Sequence, residues 1–149
     1  MASTLIPAAT SAGPRPRVSP TAVKLLENAR RELAEAAAET RPSIRYICAH
    51  IAGLRAAAAI VAARDPGAGT RRRGPRSVWE LLPQVEPALT EWAAFFAASA
   101  SKRAAAEAGL ARAVSASEAE DLLRDAATFL AVTEQTLWAD SQLPLRPAS

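Results

Sequence analysis

One cysteine in 149 residues excludes an internal disulfide and leaves no cysteine-based zinc motif. One histidine, His50, gives the chain a single imidazole for acid–base work. Lysine is almost missing, with Lys24 and Lys102 alone, so arginine carries the positive charge. Aromatics are 5% of the residues, too few for a strand-rich core. Gly67 and Gly69 precede arginines without the lysine and Ser/Thr that a phosphate-binding loop needs. No metal-ligand cluster or triad spacing appears, so neither a metal nor a cofactor is expected. The N-terminus lacks a basic start followed by an apolar region, and no apolar run is read as reaching the ~20 residues that span a bilayer. A cytoplasmic protein without membrane contact is the expectation.

What is abundant is alanine. It has the best helix propensity, and the prediction is all-α. The length suits one domain. Net charge is +3; without Arg71, Arg72, Arg73 and Arg76 of the loop and Arg15, Arg17 and Arg146 of the tails it becomes −4. The basic charge therefore belongs to the connecting pieces, and the helical body is acidic, unlike a basic face built for duplex DNA.

In chain order, residues 1–18 are rich in Ala, Ser, Thr and Pro without apolar periodicity and read as a disordered tail. Ser19-Pro20 is an N-cap followed by a proline that fits the first helical position. Ala22, Leu25, Leu26, Ala29, Leu33, Ala36 and Ala37 recur at helical spacing. A second helix follows Pro42 and runs to Arg64, with Ile44, Ile47, Cys48, Ile51, Leu54, Ala58 and Val61 as its expected inward stripe. Residues 66–76 form an arginine-rich loop. Ser77 caps a short turn, Val78 to Leu82, which Pro83 is expected to break. A further helix restarts near Glu86-Pro87 with Leu89, Trp92, Phe95 and Phe96 on one side and Gly109 as its terminator. Ser115 and Glu118 make a capping box for the last helix, whose stripe is Leu122, Leu123, Ala126, Phe129, Leu130, Thr133 and Leu137. Residues 139–149 read as a second tail. An antiparallel bundle of four to five helices over 19–138 is the economical architecture.

Arg45 and His50 fit an Arg-x4–6-His spacing. At ~100° per residue they lie about 140° apart around one helix, so they converge only if a second subunit contributes. His50 is read either as a general acid–base group or as a buried histidine with a helix or interface partner. Arg41 and Arg45, one turn apart, suit a phosphate clamp or salt bridges to Glu35, Glu39 or acids of the last helix. Arg55, nearer the apolar stripe, is expected to have a buried partner. Arg71, Arg72, Arg73 and Arg76 suit the backbone of a nucleic acid or a solvated loop. No aromatic interleaves the run, so base readout is not expected.

The segments RYICAHIAGLRAAAAIVAAR, PRSVWELLPQV, LTEWAAFFAASASKRAAAEAG and SEAEDLLRDAATFLAVTEQTL together resemble a small actinobacterial subgroup of HEPN (higher eukaryotes and prokaryotes nucleotide-binding) domains. The resemblance spans about Ser19 to Leu137. It implies a helical bundle that often dimerises. Catalytic members are metal-independent ribonucleases of toxin–antitoxin and defence systems, whose Arg and His act together across a dimer. Others are nucleotide-binding or interaction modules. In the catalytic pattern the motif lies late in the bundle, whereas here the last helix has Arg124 and no histidine. The expected function is a nucleic-acid-, nucleotide- or partner-binding module and homodimer. The alternatives are a ribonuclease using Arg45 and His50 across a dimer, and a pure protein-interaction module.

Overall fold

The computed structural model describes residues 18–67, 77–110 and 112–142. They form five α-helices and one 3-10 turn, and no strand occurs among them. The helices are α1 (Pro20–Ala38), α2 (Pro42–Arg64), α3 (Val78–Val85), α4 (Thr90–Glu107, entered through the 3-10 turn Pro87–Leu89) and α5 (Ala116–Gln142). The all-α bundle is as expected. Most of the expected N-terminal tail, the arginines of the loop, and 143–149 lie outside the described residues. Residues 139–142, expected to belong to a tail, continue α5.

The helix ends follow local chemistry. Ser19 Oγ accepts from Ala22 N–H at 3.1 Å, which satisfies one of the free donors of the first turn. Ser115 and Glu118 exchange reciprocal bonds, Glu118 N–H to Ser115 Oγ at 3.0 Å and Ser115 N–H to Glu118 Oε1 at 2.9 Å. The Ser115 backbone bond, then Lys102 Nζ at 3.2 Å, holds the Glu118 carboxyl below its usual range. Gly109 takes φ +77°. Leu110 N–H then reaches Ala105 O and Gly109 N–H reaches Ala106 O, closing α4 with the paired bonds of a glycine-terminated helix. Pro83 does not end α3. It removes one bond to Trp79 O, but the ladder resumes with Glu86 N–H on Leu82 O at 2.8 Å.

α2 is the axis of the bundle and packs against all four other helices. By length and composition it is apolar enough to cross a membrane, which corrects the sequence reading that no such run exists. Its place explains the composition, since more than half of that window is buried by its neighbours. The face it buries also differs from the expected one. Ala49, Ala52, Gly53, Ala56, Ala57 and Ala59 are enclosed along with Tyr46, His50, Ile60 and Val61. Ile44, Ile47, Cys48, Ile51 and Leu54 are only half-buried. A central helix brings its smallest side chains to the closest approaches, and the branched ones are left to fill the shoulders.

Two ion-pair sets fix direction. At one end Arg45 lies between the last carbonyls of α1 and Glu120 near the start of α5. At the other, Arg64 pairs with Glu86, 2.6 Å away, and with Asp140 near the end of α5. α2 and α5 therefore run parallel, while α1 turns back on α2 through a three-residue link, in an up-down-up-down order.

α4 is held differently. Phe96 is fully buried and its ring meets Trp79 of α3, stacked at 5.0 Å and 8°, and Phe129 of α5 at 5.1 Å. Its edge lies on Gly53 of α2, where a Cβ would stand 2.5 Å from Phe96 Cε1 and 2.8 Å from Cζ. Substituting alanine for a helical glycine ordinarily stabilises by about 1 kcal/mol. Here the ring is boxed in by other rings, and overpacking costs about 1–3 kcal/mol. Gly53→Ala should therefore lower the thermal and denaturant midpoints, with a net loss of stability of up to about 2 kcal/mol. An unchanged or raised midpoint would show that Phe96 has room to move.

Candidate functional site

His50 is brought inward by α2 and is 2% exposed. Its Nε2 lies 2.9 Å from Phe96 O. A carbonyl only accepts, so Nε2 carries the proton and the neutral ring presents Nδ1 as an acceptor. Arg103 of α4 faces that nitrogen, with Nη1 at 3.4 Å, a long contact, and its Nε donates to Glu107 at 3.0 Å. Trp79 and Phe96 stand edge-on to the imidazole at 6.1 and 5.7 Å. Burial lowers the His50 pKa most; the Phe96 carbonyl pulls the other way, the Arg103 charge lowers it further and Glu107 opposes. The neutral ring is the resident form.

Arg45 does not join it. Its Nε donates to Ala36 O at 3.0 Å and Nη2 to Ala37 O at 3.1 Å, and Nη1 stands 3.7 Å from Glu120. The guanidinium thus adds donors to carbonyls at the end of α1, of which Ala36 O also accepts from Glu39 N–H at 3.3 Å, and a cation there complements the helix dipole. Within one chain the two residues of the Arg-x4-His spacing serve different partners. Arg41 is exposed and turned onto Glu39, through Nε at 2.8 Å and Nη2 at 3.0 Å. That hydrogen bonding holds the Glu39 carboxyl at about 2. Arg41 and Arg45 meet acidic partners of the expected kinds, Glu39 and Glu120. Arg55 stands 4.0 Å from Glu32. Arg71, Arg72, Arg73 and Arg76 lie outside the described residues.

Three features escaped the sequence reading. Arg103 was legible only as a cation near a helix end; it lies 53 positions from His50, beyond any local spacing. Glu32, Glu35 and Cys48 bring ligand atoms within 4.8 Å of one another across α1 and α2, although no motif announces a metal-ligand cluster. Burial, followed by the Glu32, Glu35 and Glu39 charges, raises the Cys48 thiol pKa. Finally, an open groove of about 710 Å³ lies between the entry to α4 and α5, with Trp92, Phe95, Glu91 and Asp125 among its lining.

A model of a HEPN-like family matches residues 34–134, two thirds of the chain. No curated protein and no solved structure matches it.

The buried imidazole makes stability pH-dependent. A histidine whose folded pKa lies below its unfolded 6.5 binds more protons when unfolded. Its contribution is complete above pH 6.5 and is lost as pH falls toward the folded value. Because His50 is the only histidine, its ring signal in a proton NMR titration is unambiguous. It should titrate below 6.5, and His50→Gln should flatten the fall in melting temperature between pH 7.5 and 5.5. Titration at or above 6.5 would refute the neutral, sealed ring.

Proposed function

Since the chain belongs to the HEPN family, we propose that it acts as a non-catalytic HEPN module that binds a nucleic acid, a nucleotide or a protein partner, as a cytoplasmic homodimer. The observation that carries this reading is the condition of His50. A general base must come within hydrogen-bond reach of the proton it removes. His50 is sealed, with Nε2–H on Phe96 O and Nδ1 turned to Arg103. A second subunit would meet a histidine already covered. Using Arg45 across that boundary would also withdraw its guanidinium from the end of α1, leaving the Ala36 and Ala37 carbonyls without those donors.

Charge divides the possible ligands. The described residues hold 11 basic and all 15 acidic side chains, a net −4. A polyanion would therefore be met by Arg71, Arg72, Arg73 and Arg76 and not by the helical body, where Arg41 is engaged by Glu39. Such binding is electrostatic and salt-dependent and carries no base readout.

Labelled RNA incubated with the protein in EDTA tests the reading. Wild type and His50→Ala should leave the RNA equally intact. RNA retained at low salt should be released as salt rises. Replacing the four loop arginines with alanine should lower the slope of log affinity against log salt by roughly 3. Cleavage by wild type that disappears in His50→Ala would establish the ribonuclease instead. Absence of both cleavage and RNA binding would assign the module to a nucleotide or a protein.

A further inference from the structure

The groove at the entry to α4 brings two aromatic rings and two carboxylates to one open site. Trp92 is half-buried and Phe95 is 38% exposed. Their rings meet at 6.2 Å and 89°, forming a two-walled aromatic corner. Pro87 and Ala88 complete the apolar side, and Glu91 and Asp125 stand on the rim. Most acids of the body are spoken for: Glu32, Glu39, Glu86, Glu107, Glu118, Glu120, Asp121, Glu134 and Asp140 each pair with a cation. Glu91 and Asp125 have no such partner among the described residues. Glu91 has a local reason to be acidic, since it lies in the first turn of α4, where the dipole favours an anion. Asp125 has none. It sits inside α5, half-buried, where aspartate has poor helix propensity and burial of a lone carboxylate is costly.

We propose that this groove docks a basic peptide segment of a partner protein, with an arginine guanidinium laid against Trp92 and Phe95 and held by Glu91 and Asp125. The proposal rests on the binding-module reading and names the partner's chemistry. A guanidinium fits both halves of the site. Its flat face stacks on an aromatic ring, and its fork of donors matches a carboxylate. An ammonium is more strongly hydrated and offers no such plane. A nucleic acid is disfavoured by the two carboxylates. The groove's volume is that of a typical ligand site, within the range of about 300–1,000 Å³. The site is also pre-formed, because Trp92 and Phe95 are backed by Phe96, at 6.2 and 5.1 Å. Little ordering of the groove's own rings is left to oppose binding.

Fluorescence anisotropy of labelled hexa-arginine and hexa-lysine peptides, titrated with the full chain, provides the test. The described helical body carries −4, so both peptides meet the same general attraction, and the preference for arginine and the loss in the groove variants are what report the groove. Hexa-arginine should bind saturably and more tightly than hexa-lysine. Glu91→Gln/Asp125→Asn should weaken it about tenfold, and Phe95→Ala by a similar factor. The charge-matched pair Glu27→Gln/Glu35→Gln on α1 should leave it unchanged, with circular dichroism confirming that each variant is folded. Absence of saturable binding, equal affinity for hexa-lysine, or an equal loss in the α1 pair would overturn the proposal. RNA cleavage by wild type would overturn the module reading instead, and it is scored in a separate assay that the groove variants do not alter.

Discussion

The contact on which the bundle depends is the edge of Phe96 against the backbone of α2 at Gly53. No side chain is accommodated there without displacing the ring, because a Cβ would stand 2.5 Å from it. With glycine, α4 comes in to the depth at which Phe96 O meets His50 Nε2 and the Phe96 ring stacks on Trp79. The same ring touches Phe129 and backs Trp92. Helices α2 to α5 are thus registered through one side chain. Truncating a buried phenylalanine of this kind costs about 3–5 kcal/mol, a large part of a small domain's whole stability. Elsewhere α2 buries more alanines than large side chains, and these allow close approach but contribute little area each. Registration by a few rings compensates for a core poor in large side chains.

Parts of this were readable from the sequence, and the division follows the range of the physics involved. The caps at Ser19 and Ser115 and the terminator at Gly109 are local: each donor and acceptor lies within a few residues of its partner. The stripe of α5 was readable because that helix has one neighbour-facing side. Leu122, Ala126, Phe129, Leu130, Thr133 and Leu137 are buried, and Leu123 of the expected stripe is half-buried. On α2 the same procedure misplaced the inward face. Periodicity weights size, so Ile44, Ile47, Ile51 and Leu54 drew the reading, yet a helix surrounded on all sides buries its alanines deepest. Pro83 was over-weighted for a similar reason. A proline costs one bond, and the Ser77 cap together with the burial of Trp79 and Leu82 offsets that loss.

The candidate site divides in the same way. The Arg45/His50 spacing is visible to any pattern, but spacing says nothing of what else claims the two side chains. The end of α1 claims Arg45 through the Ala36 and Ala37 carbonyls, and α4 claims His50 through Phe96 O and Arg103. Both claims come from segments distant in sequence or outside the helix. The imidazole's proton location follows from the carbonyl alone, and burial then keeps the ring neutral. A catalytic base needs an exposed lone pair beside its substrate. This histidine has its free nitrogen turned to a cation inside the bundle.

What the enclosure of His50 removes from the interior, it adds to the surface. The packing that places Phe96 over the imidazole also sets Trp92 against Phe129 at 5.1 Å and turns Phe95 outward at right angles to Trp92. The aromatic corner of the groove is therefore the outer side of the cluster whose inner side seals the histidine. A variant that loosened Phe96 to expose His50 would dismantle the corner with it, so the bundle serves an enclosed histidine and a rigid docking corner together. The charge pattern agrees, because every acidic residue of the chain lies in the described helical body and its joints, and Glu91 and Asp125 flank that corner unpaired among the described residues. An acidic aromatic corner backed by a closed core selects for cations that carry a flat face, and guanidinium is the side chain that meets both conditions.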